Sequence, residues 1–144
     1  MMGAIGAWLY TDVAGISQMD DSSGFTSILL WPRVTVHENL PSASSSFRSI
    51  RGMISLSWSN ATSFFSIDTT VPVNTVAQVR LPFPCGSDVT TLSATEGGTT
   101  IFASGKYIPG VAGVTAASPT TSTYACYLSV SIGGGSYAFQ LSGW

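Results

Sequence analysis

At 144 residues the chain has room for one domain with a real core and not for two comfortable ones. Only 8% of residues are charged, the net charge is −2 and the mean hydropathy is +0.34, so solubility rests on hydroxyls and backbone, and self-association meets little electrostatic resistance. Five scattered basic residues do not form the clustered basic face that nucleic acid needs, and no apolar run approaches the ~18 residues of a membrane span.

One stretch reads as helix. From Met2 to Val13 the apolar residues Met2, Ile5, Trp8, Leu9 and Val13 recur at helical spacing, and Gly15 is a suitable stop. This segment lacks the basic start and cleavage site of a signal peptide, so upstream sequence is expected. Asp20 to Gly24 is a polar turn, after which the period changes to two. Phe25 to Val36 is β-rich, with Pro32 forcing an edge position or a bulge. Ile54, Leu56 and Trp58 alternate with Ser55 and Ser57, and Phe65 to Thr69 repeats the pattern. Ala77, Val79 and Leu81 then alternate with Gln78 and Arg80. Ile108 to Thr121 is low in pattern and is expected to be a long surface loop. Tyr124, Cys126, Leu128, Val130 and Ile132 give the cleanest alternation, and Tyr137, Phe139 and Leu141 follow a Gly133–Gly135 turn. Short alternating strands separated by Gly, Pro and Asn predict a mainly β chain: an antiparallel β-sandwich with one short N-terminal helix.

Cys85 and Cys126 have no second Cys or His close enough for a zinc site, and a disulfide is the reading; two free core thiols are the alternative. Such a bridge is worth about 4 kcal/mol in the chain-entropy model. Asn60-Ala61-Thr62 is a glycosylation sequon after the strand that ends at Trp58, where a turn would expose it. With the cysteines it points to an extracellular, secreted chain.

The inventory for catalysis is poor. His37, beside Glu38, is the single histidine and reads as a solvated loop residue; no G-x-S-x-G elbow presents a serine. Glycoside hydrolysis needs two carboxylates about 5 to 9.5 Å apart. The acids are Asp12, Asp20, Asp21, Glu38, Asp68, Asp88 and Glu96, and turn propensity accounts for the adjacent Asp20 and Asp21. No metal or other cofactor is expected, since no spaced Asp/Asn ladder for Ca²⁺ is present. Of the four tryptophans, Trp58 reads as core. Trp31 and Trp144 are the candidates for stacking on a sugar ring, with core burial of Trp31 as the competing reading.

Read whole, the chain resembles the end of the α-L-rhamnosidases. The stretches that carry the likeness are Gly3 to Ile16 (GAIGAWLYTDVAGI), Gly24 to Arg33, Arg51 to Trp58 (RGMISLSW), Val71 to Pro82 (VPVNTVAQVRLP) and Gly134 to Phe139 (GGSYAF), in the family's order. The resemblance implies two parts: residues 1–16, a remnant of the last helix of a catalytic (α/α)₆ barrel, and 17–144, a C-terminal β-sandwich domain. In the family a Glu commonly precedes the helix Trp and activates the attacking water. Here that position is Ala7, which cannot take a proton, and the family's general acid would lie upstream. The resemblance therefore implies fold and origin and argues against activity for this chain alone. The expected function is a non-catalytic module with structural or carbohydrate-associated work. The alternatives are the C-terminal part of an active α-L-rhamnosidase, or a subunit of an extracellular coat or filament. Expected partners are the upstream barrel, neighbouring copies of the chain, or carbohydrate.

Overall fold

The computed structural model describes residues 16–18, 27–31, 42–49, 52–61, 63–122 and 125–143. The helix expected over Met2 to Val13 lies outside them. Among the described residues the regular structure is all strand: β1 (Ile16–Gln18), β2 (Ser27–Leu30), β3 (Ser42–Ser49), β4 (Gly52–Asn60), β5 (Phe64–Val71), β6 (Val76–Pro82), β7 (Ser93–Glu96), β8 (Thr99–Ala103), β9 (Lys106–Tyr107), β10 (Val114–Thr121), β11 (Cys126–Ile132) and β12 (Gly135–Ser142). They form a five-stranded sheet, β1-β2-β6-β11-β10, and a seven-stranded sheet, β3-β4-β5-β12-β7-β8-β9. The pairings are antiparallel except β2 with β6, which run parallel. The expected sandwich is what forms.

The alternation read from the sequence explains the core. From β6 and β11, Ala77, Val79, Leu81, Leu128, Val130 and Ile132 point inward. They meet Ile54, Leu56 and Trp58 of β4, Phe65 and Ile67 of β5, and Phe139 and Leu141 of β12 in one cluster. Trp58 and Phe65 stack at 5.6 Å between ring centroids, which settles Trp58 as core. Thr69 is the buried polar exception on β5, and its hydroxyl donates to the Ser55 carbonyl at 2.7 Å. Outward, Ser42, Ser44 and Ser46 of β3 adjoin Ser57 and Ser59 of β4, all exposed, which is where the hydroxyls that replace charge are displayed.

Three elements depart from expectation. Val114 to Thr121, expected as loop, is β10, an edge strand. It buries only Val114 and Ala117, carries Pro119 and has a register shift between Val114 and Ala116, so no period of two could show. The β3 strand, SASSSFRS, is likewise an edge strand, and its exposed positions are Ser and Arg. The β7–β8–β9 meander turns at Gly97–Gly98 and at Ser104–Gly105, all four at positive φ, as tight two-residue hairpins require. Those Gly-Gly and Ser-Gly pairs are the signals that would have located it.

Candidate functional site on the outer face of the five-stranded sheet

Because Leu30, Val79 and Leu128 face the core, their neighbours Trp31, Arg80, Tyr127 and Ser129 emerge on the opposite face of the sheet. There the Arg80 guanidinium lies 4.5 Å from the centroid of the Trp31 ring and 4.7 Å from that of Tyr127. The two rings are themselves 5.0 Å apart at an interplanar angle of 55°. Arg80 is held from its own strand, since Nε and Nη2 both donate to Gln78 Oε1 at 3.3 and 3.1 Å. Trp31, Gln78, Arg80, Tyr127 and Ser129 are each half-buried. Desolvated in this way, a cation over two aromatic faces is worth more than one in open water. Trp31, a sugar-stacking candidate by sequence, thus spends part of its ring surface on Arg80 and Tyr127. Sequence reasoning placed Gln78 and Arg80 outward but did not join them to Tyr127. The sign was there: Tyr127 is an outward aromatic between the inward Cys126 and Leu128.

Cys85 and Cys126 are joined in a disulfide, with Cα atoms 5.3 Å apart. Cys126 opens β11 beside the end of β6, where the Phe83 N–H donates to the Cys126 carbonyl at 3.1 Å. The bridge therefore ties the turn after β6 to the first residue of β11, at the end where Tyr127 stands. Asn60, expected in an exposed turn, is instead the last residue of β4 and half-buried, and the chain turns only after it, through Ala61, whose N–H donates to the Phe64 carbonyl.

The described carboxylates are Asp68, Asp88 and Glu96. Asp68 is exposed on β5 beside Ser57 and Ala138. Asp88 organises a turn: its Oδ1 accepts from the Thr90 hydroxyl at 2.7 Å and the Thr90 N–H at 2.9 Å. These two bonds, the hydroxyl's first, hold the Asp88 carboxyl below the usual aspartate value. Glu96 Oε1 accepts from the Ala138 N–H at 3.4 Å. Burial pushes the Tyr137 hydroxyl up, helped by the Glu96 carboxylate, and that hydroxyl donates to the Gly133 carbonyl at 3.0 Å. Among the described residues no three His, Cys, Asp or Glu side chains come together as a metal site. Ala7, Trp8, Asp12, Asp20, Asp21, His37, Glu38 and Trp144 lie outside the described residues.

Comparison with known proteins decides the family. The model of the bacterial alpha-L-rhamnosidase C-terminal domain matches residues 15–94, more than half of the chain. The chain belongs to this family. Three of the stretches on which the resemblance rested, Gly24 to Arg33, Arg51 to Trp58 and Val71 to Pro82, fall inside the match. An alpha-L-rhamnosidase of Streptomyces avermitilis is 31% identical over 80 residues, which is 56% of this chain and 7% of that protein. The alpha-L-rhamnosidase structure from Dictyoglumus thermophilum superposes with a TM-score of 0.75 at 22% identity, covering 97% of this chain and 13% of that one. The Streptomyces avermitilis alpha-L-rhamnosidase structure, solved with L-rhamnose, gives 0.62 at 23% identity, covering 96% and 11%. At such identities the two structures speak for the fold alone. The chain spans only 7 to 13% of the length of each of these relatives.

Proposed function

We propose that this chain is a non-catalytic β-sandwich module of a secreted alpha-L-rhamnosidase-like protein, with structural or carbohydrate-associated work beside an upstream catalytic barrel. The match over residues 15–94 carries the reading, because those residues match the family's C-terminal domain. The chemistry of the described acids is consistent with it. Asp88, kept ionised by Thr90, is a poor proton donor, and Glu96 is engaged with the backbone of β12. Ala7 in place of the family's base belongs to the same reading. Secretion draws its support from the Cys85–Cys126 bridge, which persists in oxidising compartments, and from the Asn60 sequon. The test is incubation of the purified 144-residue chain with an aryl α-L-rhamnoside. No release above buffer is expected. Sustained release that substitution of one of the chain's own carboxylates abolishes would overturn the reading.

A further inference from the structure

We infer that the outer face of the five-stranded sheet, at Trp31, Gln78, Arg80, Tyr127 and Ser129, is a binding site for a carboxylate-bearing sugar, a uronic acid unit. This inference rests on the carbohydrate-associated reading above and names its ligand class. Two independent observations carry it. First, Arg80 is a half-buried guanidinium with no carboxylate beside it among the described residues; its contacts are two aromatic rings and the neutral Gln78 Oε1. With Nε and one Nη2 hydrogen directed at Gln78, the remaining Nη hydrogens are left for a bidentate acceptor, the geometry that a carboxylate matches. Second, Ser129 Oγ is shut from solvent and has no hydrogen-bond partner, and Ser129 is paired in register with Arg80 on the neighbouring strand. A buried hydroxyl left without a partner is costly, and a turn of the Ser129 side chain toward a ligand oxygen over this strand pair would bring it out of its occluded position and relieve that cost. Gln78, held by its oxygen, keeps its amide hydrogens for a ring hydroxyl. Trp31 and Tyr127 supply apolar surface for the C–H face of a sugar. The assembled groups are one positive charge, several donors, two aromatics and no acid, which suits an anionic ring better than a neutral one.

The experiment is a titration of the ¹⁵N-labelled 144-residue chain with sodium glucuronate, and separately with glucose and with sodium acetate, followed by NMR. Glucuronate is expected to bind saturably in the millimolar range, at least tenfold tighter than either control, with shifts clustered on Trp31, Gln78, Arg80, Tyr127 and Ser129. Arg80→Lys keeps a point charge but not the fork, and should weaken binding about tenfold; Arg80→Ala should abolish it. Gln78→Ala, which frees the guanidinium without removing it, serves if the Arg80 variants fail to fold, and should weaken binding severalfold. Glucuronate binding no tighter than glucose or acetate, or unchanged by these substitutions, would overturn the inference. Glucose bound as tightly at the same residues would do so while leaving the carbohydrate-associated reading intact.

Discussion

At the scale of single residues, Asp88 shows how a polar side chain serves the fold where no core is at hand. Its Oδ1 accepts from Thr90 and its carbonyl from the Thr91 N–H, while the Thr91 hydroxyl lies 2.8 Å from the Gly143 carbonyl, to which it can donate, so the turn tethers the end of β12. Since the folded carboxyl titrates below its ordinary value of 3.8, its contribution is fully present above that pH and fades as pH falls through the lowered folded value. Asp88→Ala is therefore expected to melt below the parent at neutral pH, with the gap closing in acid. Thermal melts by circular dichroism across that range check it; a gap that stays constant with pH would contradict the assignment. The sequence showed Asp88 as one acid among seven. What it could not show is the pair of donors from Thr90, because that depends on the turn the carboxylate itself organises.

At the scale of elements, strands buried on one face were legible and edge strands were not. In β4, β6, β11 and β12 every second side chain must leave water, so the pattern is written in Ile, Leu, Val and Phe. In β10 the partner strand lies on one side only and little is buried, so Ser, Thr and Pro suffice, and β3 is an edge strand whose described side chains are exposed Ser and Arg. The site divides in the same way: Trp31 was legible as a candidate, whereas its meeting with Arg80 and Tyr127 needed the β2-β6-β11 order. The disulfide was legible because Cys126 occupies an inward position of β11. Its removal in a Cys85→Ser/Cys126→Ser double variant frees a loop of 41 residues in the unfolded chain, and a loss of about 2–4 kcal/mol is expected. Urea unfolding measures it, and an unchanged midpoint would contradict it.

At the scale of the whole molecule, the sandwich could be read but its wiring could not. Alternation says which face of a strand is buried and nothing about which strand lies beside it. The parallel placement of β2 against β6 and the position of β12 between β5 and β7 come from pairings such as Gly135 with Val71, distant in sequence. The placement of β12 makes a truncation informative. A chain ending at Ile132 retains β3-β4-β5 and β7-β8-β9 but nothing to join them. It is expected to be digested rapidly by protease under conditions where the parent survives; equal resistance would show that the sheet closes without β12.

The same feature bears on how the protein is made. A growing chain leaves the ribosome N-terminus first, and many domains begin to fold as they emerge. Here the keystone of the seven-stranded sheet follows in sequence both of the strands it joins, β5 and β7. Until Ser142 has cleared the exit tunnel the nascent sandwich holds two half-sheets, each with an open edge where β12 belongs. Closure of the seven-stranded sheet therefore waits on β12, and in the interval before it those edges are the surfaces a chaperone would have to guard.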